Sequence, residues 1–253
     1  MSWDPALYDR FAAERSQPFY DLVALCRPVE GGTVVDLGCG TGRLTADLHR
    51  SVRAATTTGI DNSPEMLAEA PTGVPGLTFA LGDLADWRGP PVNLVFANAS
   101  LHWVGDHPAL LGRLRQGIAP GGQLAFGVPA NFGHPSHTVA KALAAEPEFA
   151  WSGPVEDRGT AVLAPERYAE LLDGLGAVEL HVRLQVYGHH LESTESVVDW
   201  VSGTALTPYR ARLDPASFER FVDLYRARLL GALGEQRPYF YAFPRILCWA
   251  CFA

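Results

Sequence analysis

The chain has 253 residues, 47% of them hydrophobic and 19% charged, which supports a sizeable core and excludes intrinsic disorder. A formal net charge of −8 leaves no basic footprint for nucleic acid. An acidic chain of this kind binds an anion only through a local cluster of Arg, His or backbone N–H groups.

The first residues, Met1-Ser2-Trp3-Asp4-Pro5, show no basic start followed by an apolar run. No apolar stretch is long enough to span a membrane. A cytoplasmic enzyme is therefore expected. Residues 1–30 read as an N-terminal helical segment. Residues 33–37, 56–60, 77–80, 92–97 and 123–128 are short apolar runs that read as buried strands. Helical patterns lie between most of them, so the fold class is α/β, a parallel sheet with helices on both faces. Ser63 is placed to cap a helix that begins at Pro64, and Pro120-Gly121-Gly122 is a turn before the fifth strand. Pro165 opens another helix. Val178, Leu180, Val182, Leu184 and Val186 alternate at period two, a strand. Residues 243–252 read as the last strand. About fifty residues of helical pattern precede it, with Asp214-Pro215 opening the clearest helix. The expected organisation is one domain: a core over 31–190, a helical cap over 191–241, and a final core strand over 242–253.

The segment Val34-Val35-Asp36-Leu37-Gly38-Cys39-Gly40-Thr41-Gly42 carries the strongest signal. A strand runs into a glycine-rich turn and then a helix, whose first N–H groups lack partners. The spacing is G-x-G-x-G, not the G-x-G-x-x-G of dinucleotide sites. Asp36 precedes the first glycine, where it can face the cationic amino group of a methionine moiety; a pyrophosphate would make that acid unwelcome. The expected cofactor is S-adenosyl-L-methionine. Asp61, at the end of the second strand, suits a pair of ribose hydroxyls or a helix cap. Asp83, in Gly82-Asp83-Leu84, suits an adenine amino group or a surface turn. Asn98, in Ala97-Asn98-Ala99, should border the methyl-bearing sulfur. These features sit at successive carboxyl ends of strands, where open sheets bind ligands. Cys248 and Cys251 form a C-x-x-C, but on a strand they face opposite sides. They read as packing, and no metal site is expected.

Further segments carry a family resemblance: Tyr8-Asp9-Arg10-Phe11-Ala12-Ala13-Glu14-Arg15-Ser16, Ile60-Asp61-Asn62-Ser63-Pro64-Glu65-Met66, Asn98-Ala99-Ser100-Leu101-His102-Trp103, Pro135-Ser136-His137, Asp199-Trp200-Val201-Ser202-Gly203 and Phe243-Pro244-Arg245. With the glycine turn they resemble trans-aconitate 2-methyltransferases over nearly the whole chain. The resemblance implies a Rossmann-like seven-stranded sheet with an antiparallel last strand. It also implies esterification of a carboxylate of trans-aconitate, a small polycarboxylic acid, with no nucleic-acid or membrane partner. Cys39, Asn62, Met66, Leu84, Ala99 and Trp103 join the cofactor set on the same footing. A carboxylate is already ionised at pH 7, so no general base and no catalytic residue in that sense is required. Tyr8, Arg15, His102, His137, His189, Trp200, Tyr209 and Arg245 are the acceptor-side candidates. Each has an ordinary alternative, in packing for the aromatics or a surface salt bridge for the arginines. The chain departs from the family at residues 233–241, where Pro238 is displaced and Tyr239, Phe240 and Tyr241 follow it. That departure keeps open methylation of another small or carrier-bound acceptor; a third reading, of a different class, is cofactor binding without turnover, which nothing in the sequence demands because the motifs are intact.

Overall fold

The computed structural model describes residues 12–149, 161–203 and 205–253, with side chains from Ser16 onward. Those residues fall into two compact units. One draws on residues 16–129, 161–185 and 245–253; the other draws on residues 12–15, 130–149, 186–203 and 205–244. No helix among the described residues is long and apolar enough to cross a membrane.

The first unit holds the sheet. Its strands are β1 (Thr33–Leu37), β2 (Thr56–Asp61), β3 (Leu77–Leu81), β4 (Val92–Asn98), β5 (Ile118–Pro129), and most of β6 (Ala177–Leu191) and β7 (Tyr239–Phe252). The strand order is β3-β2-β1-β4-β5-β7-β6. β1 to β5 pair in parallel, and β7 runs antiparallel to β5. The central strands are buried on both faces: Leu94, Val95, Phe96 and Ala97 are fully covered, as are Leu124, Ala125 and Phe126. Continuous apolar runs, rather than alternating ones, are what a doubly covered parallel sheet demands. Helix α1 (Ala12–Val23) lays Phe19 and Leu22 on Leu94, Phe96, Leu247 and Trp249. Helix α2 (Arg43–Ser51) buries Thr45, Ala46 and Leu48. Ser63 caps the short helix α3 (Pro64–Leu67), its hydroxyl accepting from the Met66 N–H at 3.2 Å. Helices α4 (His107–Gln116) and α6 (Pro165–Gly174) complete the unit.

Two expectations are corrected. Pro120-Gly121-Gly122 does not precede β5 but lies inside it. The register jumps there, with Val92 opposite Ile118 and Leu94 opposite Gln123. Pro120 has no N–H for the ladder, so the strand bulges and then resumes. The last strand begins at Tyr239 rather than at 243. Helix α9 (Pro215–Leu233) ends against Gly234, at φ 72°, and the three aromatics then alternate as a strand does: Tyr239 and Tyr241 are buried, and Phe240 is exposed.

The second unit contains α5 (Pro135–Ala144), α7 (Ser196–Ser202), α8 (Thr207–Arg210) and α9. Its core joins Leu143, Phe149, Val197, Leu206, Phe221, Tyr225 and Leu229. Tyr239 and Tyr241 enter a polar chain there: the Tyr241 hydroxyl meets Ser136 Oγ and Asn131 Nδ2 at 3.3 Å, and Tyr239 meets His134 Nε2 at 3.2 Å.

His107 ties α4 into the first unit. Its Nε2 donates to the Leu101 carbonyl at 3.1 Å, so its Nδ1 accepts from the Tyr168 hydroxyl. Burial lowers its pKa below the usual value. The folded chain therefore holds this imidazole neutral, and the unfolded chain binds the proton more readily. The stability it contributes is complete above about pH 6.5 and is lost as pH falls from there through the folded pKa. Chemical denaturation at a series of pH values should show this loss as pH falls below about 6.5. His107→Gln should reduce that slope; an unchanged slope would assign the loss to other groups.

Candidate active site

The carboxyl ends of β1, β2 and β4 assemble the site within the first unit. β1 delivers Asp36, and the chain turns from Gly38 to Gly42 before α2 begins. The turn is fastened to β2: the N–H groups of Gly38 and Cys39 donate to the Ile60 carbonyl at 2.7 and 3.0 Å. Gly40 N–H donates to Asp61 Oδ2 at 2.8 Å, and Asp61 Oδ1 accepts from Ser63 N–H at 2.9 Å. Asp61 thus organises both the glycine turn and the entry to α3.

The glycines do different work. All three have positive φ. A Cβ on Gly38 would stand 2.3 Å from Ser100 Cβ, and one on Gly42 would stand 2.3 Å from the Phe79 ring. Those two glycines close the turn against its neighbours. A Cβ on Gly40 would meet nothing within 4 Å, so Gly40 faces open space.

Asp36 is 3% exposed, and Thr45 Oγ1 donates to its Oδ2 at 2.6 Å. Burial raises its pKa to about 7; the Thr45 hydrogen bond opposes the rise and Asp61 adds to it. Among the described residues, Asp36 and Arg245 are the only buried members of the Asp, Glu, Lys and Arg classes. Asn98 ends β4 with its Oδ1 buried and, among the described residues, without a hydrogen-bond partner. Ala99 follows at φ 54°, a conformation that costs an L-residue roughly 1–2 kcal/mol. Its N–H donates to the Gly127 carbonyl at 2.8 Å, and Ser100 Oγ binds the Leu37 carbonyl at 2.6 Å. Strain held in place by such bonds is typical of functional sites.

The remaining cofactor candidates border this region with ordinary local roles. Gly82 N–H bonds the Asp61 carbonyl at 2.9 Å. Asp83 Oδ1 accepts from Ala85 N–H at 2.8 Å and so opens a 3-10 turn over Leu84–Asp86. Asn62 is exposed, and Met66 and Leu84 are half-buried. Burial raises the Cys39 thiol pKa. Trp103 is 44% exposed, with the His102 ring 5.2 Å away. Sequence reasoning missed Thr45, Phe79 and Ser100. Thr45 was within reach of it, since it lies in the first turn of the helix that follows the acid.

This set fits S-adenosylmethionine. Among the described residues, a buried carboxylate lacks an offsetting cation, a buried amide oxygen lacks a donor, and a glycine opens onto free space. A cationic, hydrogen-bonding ligand held close to backbone answers all three.

The acceptor-side candidates divide between the units. In the first, Arg245 lies opposite Pro129 on β5, two positions beyond Gly127, which faces Asn98. In the second, His189 lies 4.9 Å from the Trp200 ring, both buried, and Tyr209 stacks on Phe221 at 5.0 Å. His137 lies 5.3 Å from the Phe132 ring. Tyr8 and the Arg15 side chain lie outside the described residues. No group of three or more His, Cys, Asp or Glu side chains suited to a metal occurs among the described residues.

Residues 34–122 match a methyltransferase domain family. The chain is 45% identical to a trans-aconitate 2-methyltransferase of Deinococcus radiodurans, over 98% of this chain and 97% of that protein. It is 38% identical to one of Delftia acidovorans, over 97% of each. In fold it is similar to the YcgJ protein of Bacillus subtilis, with a TM-score of 0.61 at 12% identity, over 93% of this chain and 97% of that one.

Proposed function

The chain belongs to the trans-aconitate 2-methyltransferase family of S-adenosylmethionine-dependent enzymes, and on that premise we propose that it esterifies one carboxylate of trans-aconitate in the cytoplasm. The observation that carries the reading at the site is Asp36, a buried carboxylate beneath a glycine turn that opens at Gly40. S-adenosylmethionine, when bound, supplies a methyl group on a positively charged sulfur. Asp36 would hold its amino group, Asp61 and Asp83 its ribose and adenine, and Asn98 and Trp103 would border the sulfur. Gly40 would let the backbone come close to the ligand, while Gly38 and Gly42 hold the turn against Ser100 and Phe79.

The chain need not remove a proton, because the attacking carboxylate is ionised at neutral pH. Its task is alignment, which supplies roughly 7–11 kcal/mol in favourable cases. Keeping water out helps further, since the charges of the two reactants disperse as the methyl moves. Arg245 would bind an acceptor carboxylate, with His102 beside the same strand ends.

Transfer of a radiolabelled methyl group to trans-aconitate tests the reaction. Label should appear in an ester that mild base hydrolyses; no transfer to trans-aconitate or any related carboxylic acid would overturn the reading. Arg245→Ala should raise the acceptor KM about tenfold or more, the scale of one charge-assisted hydrogen bond, and leave the cofactor KM nearly unchanged. Equal changes in both would make Arg245 structural.

A further inference from the structure

Strand β6 ends the sheet, and among the described residues no strand pairs with its outer edge. It is 15 residues long, whereas β3 at the opposite edge has five. Natural sheets shorten, bulge or charge such edges to stop them pairing with another chain. Over Ala177–Gln185 β6 has no Pro and no Lys, and the ends of its apolar row are bare: Val178 is 60% exposed and Leu184 54%, with Leu180 and Val182 half-buried between them.

The order of residues along this edge is self-complementary. Two copies run antiparallel with His181 opposite His181 place Leu180 against Val182, Glu179 against Arg183, and Val178 against Leu184. The four apolar residues Val178, Leu180, Val182 and Leu184 then meet one another on the same face, Glu179 and Arg183 meet the opposite charge, and Ala177 meets Gln185 at each end. A slip of one position puts Glu179 beside an apolar residue and turns the rows to opposite faces. Directly opposed pairs of both kinds stabilise antiparallel ladders, whereas like charges destabilise them. Glu179 also meets Arg27 within its own chain, but both side chains are about half exposed, and such a surface pair contributes little.

We propose that two copies of this chain associate through antiparallel pairing of their β6 edges about a twofold axis at His181. The contact is isologous and closed, so it gives a dimer and not a filament.

Sedimentation velocity over a concentration series tests it. The wild-type chain should pass from the mass of one chain to twice that mass as concentration rises. Glu179→Arg sets Arg against Arg183, and Arg183→Glu sets Glu against Glu179; each should weaken association by about tenfold or more. The double variant, which exchanges the charges, should restore it. Affinity for S-adenosylhomocysteine should stay at the wild-type value in all three, which establishes that they fold. If a reversal fails to fold, His181→Cys decides, because the thiols on the axis should oxidise to a covalent dimer at low protein concentration. A wild-type chain of single-chain mass at every concentration would overturn the proposal. So would single reversals that associate as the wild type does, or a His181→Cys chain that does not cross-link.

Discussion

Asp36→Asn should bind S-adenosylhomocysteine about 10–100-fold more weakly than the wild type, and its ligand-free form should be no less stable at pH 8. The two effects share a cause. A hydrogen bond to a charged group contributes roughly 1.5–3 kcal/mol, and the variant loses the charge that would meet the ligand amino group. In the ligand-free chain that same charge is a burden. The folded pKa of Asp36 is raised to about 7 by burial, above its unfolded value. Below the unfolded pKa both states are protonated and there is no penalty. As pH rises through the window up to about 7, only the unfolded state ionises, so stability falls. Above it the penalty is complete, on the order of 4 kcal/mol. The stability difference between Asp36→Asn and wild type should therefore be largest at pH 8 and close by about pH 4. Calorimetric titration and denaturant unfolding read the two halves. Unchanged ligand affinity would remove Asp36 from the site, and a variant less stable at pH 8 would contradict the buried, uncompensated charge.

The second large contrast lies inside the glycine turn. Gly42→Ala combines a left-handed φ with a Cβ 2.3 Å from the Phe79 ring. Phe79 is held on β3, so overpacking and backbone strain together should cost about 2–5 kcal/mol. Gly40→Ala has the φ strain alone, about 1–2 kcal/mol, because its Cβ enters open space. That variant should fold, and since the space is the one proposed for the cofactor, its affinity should drop at least tenfold, about 1.4 kcal/mol. Thermal melts and ligand titration of both variants check this. A Gly40→Ala chain that binds as tightly as the wild type would place the cofactor elsewhere.

The strands and the glycine turn were legible in the sequence because their signals are local. Apolar runs of the right length mark β1, β4 and β5, and three glycines spaced by one residue mark the turn. What stayed hidden depends on residues far apart in the chain. Nothing near Asp61 announces that Gly40, 21 positions earlier, donates to it. The left-handed conformation of Ala99 is invisible, because alanine does not signal it; the strands around it impose it. The bulge at Pro120 required knowing which strand lies alongside. Tyr239 to Tyr241 were assigned to the cap because helical pattern precedes them, but Gly234 had already ended the helix. The sequence also singled out Trp200 and Tyr209 as acceptor walls; both are buried among the aromatic rings of the second unit.

The bonds that Asp61 makes bear on how fast a ligand can be captured. Its two oxygens hold the Gly40 and Ser63 N–H groups, so the shape of the turn is fixed by bonds within the chain. Fixing one residue of a loose loop costs about 1–2 kcal/mol of conformational entropy. A turn that had to order on contact would take this from the binding free energy and would turn away most encounters. Here the ordering is completed as the chain folds, and the rate of capture is left to diffusion and to access.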